Sequence, residues 1–199
     1  MQAALHGAGR YTRGLAVTSP SPVQGGPQRS GPAIVVVMGV AGSGKTTFGQ
    51  HLATALGWSY AEGDSFHPAA NLAKMANGIP LSDADRWPWL EAIAGWIRAE
   101  TAAGRSGVVA CSALKRAYRD RLRAAWPALR LVTLDVDRDE LRRRLHARAG
   151  HFFPEALLES QLATLEPPQA DEHPIVVRPG DANEAVGRIA AILRAGASP

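Results

Sequence analysis

The stretch Gly39-Val40-Ala41-Gly42-Ser43-Gly44-Lys45-Thr46 constrains this chain more than any other. It satisfies G-x-x-x-x-G-K-[ST], and both flanks suit it. Ala33–Met38 (AIVVVM) is a β-branched run fit for a strand buried on both faces. From Lys45 to Leu56, Phe48, Leu52 and Leu56 share one helical face, and Gly57 supplies a stop. A strand, a glycine-rich turn and a helix in that order build an anion cradle. Glycines let backbone N–H groups approach phosphate oxygens, and the helix adds its positive end. The cradle comprises Gly39, Ala41, Gly42, Ser43, Gly44, Lys45, Thr46 and Thr47. Lys45 suits the β- and γ-phosphates of ATP, and the Thr46 hydroxyl suits Mg²⁺. A chance match in a glycine-rich turn is the bland alternative, and the flanks disfavour it. The pattern is silent about the phosphoryl acceptor.

The rest of the chain alternates in the same way. Strands are predicted at Trp58–Ala61, Val108–Cys111, Leu131–Val136 and Ile175–Val177. Helices are predicted at Ser82–Ala103, Lys115–Trp126, Asp139–Ala149, near Pro154–Thr164, and Asn183–Ala195. Pro88 predicts a kink in the first of these, or its division into two segments. The expected fold is three-layer α/β: a five-stranded parallel sheet with helices on both faces. Ligands then belong at the carboxyl ends of the strands. Residues 1–32 mix turn formers with no apolar period and read as a disordered tail; residues 33–199 read as one domain.

Composition narrows the function. The net charge is +4, yet acids interrupt the arginine-rich stretches 116–130 and 138–148, and no aromatic-interleaved basic stripe occurs. A nucleic-acid partner is not expected. A single cysteine, Cys111, rules out an intramolecular disulfide and a cysteine-based zinc lid. With no long apolar run and no signal-like start, no membrane partner is expected and the cytoplasm is the expected compartment. No N-K-x-D segment is present, so a guanine-reading switch is not expected. A compact kinase remains.

Further segments carry a resemblance. They are Glu62-Gly63-Asp64-Ser65-Phe66-His67-Pro68, then Lys74-Met75-Ala76-Asn77-Gly78-Ile79-Pro80-Leu81-Ser82-Asp83-Ala84-Asp85-Arg86 with Pro88-Trp89-Leu90. Cys111-Ser112-Ala113-Leu114-Lys115-Arg116 with Tyr118-Arg119-Asp120 follows, then Gly150-His151-Phe152-Phe153 and Gln161-Leu162-Ala163-Thr164-Leu165-Glu166 with Ala170-Asp171-Glu172. In this order they resemble the thermoresistant gluconokinase family, within the shikimate-kinase and nucleoside-monophosphate-kinase fold group. The match runs from about Ile34 to the C-terminus. It implies transfer of the γ-phosphoryl of MgATP to D-gluconate, a short lid and a homodimer. It also implies that Arg119 and Gln161 belong with the substrate residues.

The residues support specific roles. Asp64 follows a predicted strand, where a carboxylate can orient or accept the proton of an attacking hydroxyl; the bland alternative is a turn cap. His67 is equally suited to substrate or to stabilising a turn. Arg86 suits the acceptor carboxylate, because guanidinium pairs bidentately with that group; the alternative is a surface contact with Asp85. Ser112 and Lys115 lie at another strand end, where a lysine can follow an anionic group. Arg144 and Arg148 share one helix face and are the expected lid arginines, with Arg142 and Arg143 on a solvated face. Trp87, Trp89 and Trp96 read as packing, and Cys111 as a buried strand end. The rival enzyme is a shikimate or nucleoside-monophosphate kinase. A phosphate acceptor attacks unaided, so Asp64 argues against the second. The rival from another class is a nucleotide-binding regulatory module without turnover.

Overall fold

A computed structural model describes residues 31–147, 155–178, 180 and 182–195. The expected lid segment, including Arg148 and Gly150–Phe153, lies outside the described residues, as does nearly all of the expected tail. The strands are β1 (Ile34–Met38), β2 (Ser59–Glu62), β3 (Gly107–Ala110), β4 (Arg130–Leu134) and β5 (Ile175–Val177). The α-helices are α1 (Lys45–Leu56), α2 (Ala69–Ala76), α3 (Asp83–Ala102), α4 (Arg116–Ala125), α5 (Arg138–Ala147), α6 (Glu155–Thr164) and α7 (Ala182–Ala195).

All strands pair in parallel in the order β2-β3-β1-β4-β5. The period of two along β1 sorts its side chains between two cores. Ile34, Val36 and Met38 face Trp89, Ile93 and Ile97 of α3 and Leu122 of α4. Val35 and Val37 face Phe48 and Leu52 of α1 and Ile189 and Leu193 of α7. Both faces of β1 are therefore covered, which is why that strand is apolar throughout. At its carboxyl end Val40 joins Leu114, Leu141 and Leu158 in a third cluster, which seats α5 and α6 above the sheet.

Helix α3 is not divided into two segments, because it runs on through Pro88. The proline sits in the second turn, where only the bond back to Ala84 is forfeited. Ser82 and Asp85 form a capping box at the helix start, and Trp89 and Leu90 are fully buried just after the proline. Cap and anchor together outweigh one lost bond.

Candidate active site

Three glycines give the loop after β1 its shape. Gly39, Gly42 and Gly44 have φ of 146°, 78° and 94°, in the region that favours glycine. A Cβ on Gly39 would lie 2.8 Å from Ser43 Oγ. Gly44 is the N-cap of α1, so the loop delivers its amides to a helix N-terminus. Lys45 folds back and donates from Nζ to the Val40 carbonyl at 2.9 Å. Burial lowers its pKa, against the opposing charges of Asp64 and Glu62. Thr46 and Thr47 stand exposed on the first turn of α1. Ser43 Oγ is buried without a partner among the described residues.

Helix α5 lies against this loop. Arg144 Nε donates to Glu140 at 2.7 Å, and its Nη1 reaches the Ser43 carbonyl at 3.3 Å. A Cβ on Gly42 would meet Leu145 Cγ at 3.0 Å. Arg142 is not an idle solvated residue, as it ion-pairs with Glu155 and Glu159 and ties α5 to α6. Arg143 stays on the exposed face and pairs with Glu140. A cleft of about 280 Å³ opens beside the loop between Thr47, His51, Arg144, Arg178 and Val186. Sequence reasoning missed His51, Arg178 and Val186. Yet His51 is one helical turn from Thr47, and Arg178 directly follows β5, where the strand-end rule points.

Asp64 is set on the opposite side by a close approach. After β2 the chain makes a 3₁₀ turn, Gly63–Phe66, against the end of β3. A Cβ on Gly63 would lie 2.2 Å from the Ala110 carbonyl oxygen, so only glycine fits. Trp89 Nε1 donates to Gly63 O at 2.7 Å and fixes the turn from beneath. Asp64 is exposed, and its charge acts on Lys45 across the sheet edge. The exposed Thr46 hydroxyl is an oxygen donor of the kind that a magnesium ion bound to nucleotide phosphates uses, so this residue fits that ion.

His67 stacks on Trp89 at 4.4 Å between centroids and 12° between planes. Asn71 donates from Nδ2 to the Asp85 carbonyl at 2.7 Å, which fixes its amide. His67 Nδ1, 3.2 Å from the same nitrogen, is therefore the acceptor and its Nε2 carries the proton. Burial lowers the His67 pKa and Arg86 adds to that effect, while Asp64 opposes it. The ring is neutral at pH 7 and presents one donor.

Arg86 does not contact Asp85, whose carboxylate is taken by Lys74 at 2.6 Å. Its guanidinium lies 5.8 Å from the Tyr118 ring centroid and feels the charge of the Asp83 carboxylate, but among the described residues it forms no ion pair. Lys115 is already engaged, with Nζ 2.8 Å from both oxygens of Asp83. Tyr118 donates to the same carboxylate at 2.6 Å. Ser112 is half-buried in the loop between β3 and Lys115. Cys111 is buried, and burial pushes its thiol up to about 12, so it is inert packing.

Two expected substrate residues fall elsewhere. Arg119 is 2% exposed and spends all three nitrogens inside the protein, on Glu172 and on the carbonyls of Ala113, Leu114 and Glu166. It is a structural clamp, because nothing of it is left for a ligand. Gln161 lies on the nucleotide side, where its Oε1 accepts the Ala41 N–H at 2.7 Å.

Residues 34–168 match the model of the AAA domain family. The chain is 51% identical over 145 residues to the gluconokinase of Gluconobacter oxydans, covering 73% of this chain and 81% of that one. The chain belongs to the gluconokinase family. Its identity to the thermoresistant gluconokinase of Escherichia coli is 43% over 144 residues, 72% of this chain and 82% of that one. Within the gluconokinase family, a solved structure from Sinorhizobium meliloti superposes with a TM-score of 0.71 at 42% identity, covering 84% of this chain and 99% of that one.

Proposed function

We propose that this chain is a gluconokinase, which transfers the γ-phosphoryl group of ATP to D-gluconate and releases 6-phospho-D-gluconate and ADP. One observation carries the reading. The phosphate loop with Lys45 and the exposed carboxylate Asp64 share one sheet edge, and beside them Arg86 forms no ion pair among the described residues.

In this mechanism the loop amides of Gly42–Thr46 and Lys45 hold the polyphosphate. Arg86 pairs with the acceptor carboxylate, while His67 Nε2 and Ser112 hydrogen-bond its hydroxyls. Asp64 orients the terminal hydroxyl and takes its proton as the oxygen bonds to the γ-phosphorus. The bond from that phosphorus to the β,γ-bridging oxygen breaks, and the electron pair leaves with ADP. Mg²⁺, held by Thr46 and the nucleotide phosphates, supplies charge neutralisation when bound. Arg144, with Arg148 as the partner implied by the resemblance, neutralises charge over the loop.

The testing experiment is ADP release measured over a panel of sugar acids, shikimate and nucleoside monophosphates. Turnover with gluconate above all others is expected, and preference for another acceptor overturns the assignment. A homodimer belongs to the same reading. Leu72, Ile79 and Trp87 support it as large apolar side chains exposed by 41–50%. Sedimentation at micromolar concentration tests it, and a monomer would refute it. The cytoplasm is the compartment that this reading implies, because ATP and gluconate meet there.

A further inference from the structure

The hydrogen bond from Ala41 N–H to Gln161 Oε1 spans 120 residues of sequence and is 2.7 Å long. Ala41 N–H is a single donor in a loop built to cradle phosphate. Its bond to Gln161 therefore ties the backbone at the start of that loop to helix α6. Helix α6, which carries Gln161, is not free to yield alone. Its Leu158 and Leu162, with Leu165 beyond, pack with Val40 of the phosphate loop and Leu114 of the loop after β3.

Just past the helix, Glu166 is fastened to that second loop three times over. Its N–H donates to Leu114 O at 2.9 Å, and its carboxylate accepts the Arg116 N–H at 2.6 Å. Its carbonyl accepts from Arg119 at 3.0 Å, and the same Arg119 nitrogen holds Ala113 O and Leu114 O. Ala113 has φ of 42°, a conformation that a residue with a side chain keeps only when its surroundings impose it. This imposed loop positions Ser112 and Lys115. Only the short run Gln161–Glu166 separates the phosphate loop from it.

We propose that Gln161 is a positioning residue: through Ala41 it holds the phosphate loop in register with the acceptor-side loop 111–115, so that occupancy of one site changes affinity at the other. The proposal rests on the kinase reading above and deepens it.

Calorimetry on the full chain tests the coupling, with gluconate titrated in the presence and absence of a non-hydrolysable ATP analogue and Mg²⁺. In the wild type the analogue shifts gluconate affinity by about 5–150-fold. In Gln161→Met, which keeps length but removes the acceptor oxygen, the ratio collapses toward one. Gln161→Glu keeps an oxygen and retains most of the ratio. Hydrogen exchange of the Ala41 amide gives a readout independent of the acceptor. It is expected to speed up in the Met variant and stay slow in the Glu variant.

An unchanged ratio in Gln161→Met, or no coupling in the wild type, overturns the proposal. So does a variant that loses melting temperature and both affinities in equal proportion, because that marks a merely structural residue. A wild type that binds the analogue but neither binds nor phosphorylates gluconate defeats the acceptor assignment instead. The exchange of Ala41 then decides the contact by itself, and equal rates in wild type and Gln161→Met overturn it.

Discussion

Arg119 clasps Glu172 through two nitrogens, Nε to one carboxylate oxygen at 2.6 Å and Nη2 to the other at 2.9 Å, with both side chains closed off from solvent. Burial pushes the Glu172 carboxyl up. The Arg119 bonds, the Gln169 N–H and the charges of Arg119 and Arg116 outweigh it and hold the carboxyl below its usual value. Removing one partner of a buried pair strands the other charge, at a cost of about 3–5 kcal/mol. Arg119→Met is accordingly expected to lower Tm by about 6–20 °C at neutral pH.

The pH dependence of that loss follows from the signs. With a depressed folded value, Glu172 adds stability that is full above its unfolded pKa and is lost as pH falls through the folded one. In Arg119→Met, burial dominates and the folded value rises above the unfolded one. The penalty is then present at neutral pH and fades as the carboxyl is protonated. Thermal melts at roughly pH 7 and roughly pH 4 should show the Tm gap between wild type and variant narrowing in acid. A gap that is constant, or wider in acid, contradicts the buried-pair account.

Lys45 is expected to carry much of the phosphate chemistry. Its Nζ, parked on the Val40 carbonyl at 2.9 Å, has the phosphate loop on one side and Asp64 on the other. Lys45→Ala should lower kcat by about 10²-fold or more, with little change in Tm. Turnover near wild type in a steady-state assay would show that the loop is not a working cradle.

Local signals carried the fold further than the site. The phosphate loop, α1 and β5 are legible to the residue, because glycine spacing, one-face periodicity and β-branching are contained within each segment. Other boundaries shift by one or two residues where caps decide them. Helix α2 leaves no clear pattern: it is short, Leu72 is exposed, and its buried member is Asn71. The resemblance placed Arg119 with the substrate residues, and nothing local corrects that, because its partner, Glu172, lies 53 positions away. Gln161 and Ala41 illustrate the same limit. Sequence reveals which groups can pair, and tertiary packing decides which do.

The grip of Asp83 on Lys115 gives a fourth prediction. Hydrogen bonds from Lys115 and Tyr118 hold the Asp83 carboxyl below its usual value. Half of Asp83 faces solvent, so the pair matters for placement more than for stability. Asp83→Asn weakens the hold on Lys115 while keeping the helix start. Gluconate KM should rise about 5-fold, a loss of the size expected for one ordinary hydrogen bond, while kcat and Tm change little. An unaltered KM would mean that Lys115 does not serve the acceptor.

Asp64 separates acceptor chemistry from nucleotide binding. Its backbone is locked by the Gly63 approach to Ala110 and by Trp89, so Asp64→Asn should preserve the turn. The substitution keeps size and much hydrogen bonding but removes the proton acceptor. General-base contributions run about 10²–10⁴-fold, and a loose phosphoryl-transfer transition state asks little of a base, which favours the low end. Gluconate turnover should therefore fall about 10²-fold. Affinity for an ATP analogue should stay within about 2-fold, since the loop amides and Lys45 supply it. Both quantities are to be measured on one preparation. Collapse of both would move Asp64 to the metal or the fold, and no change in either would leave it a turn residue.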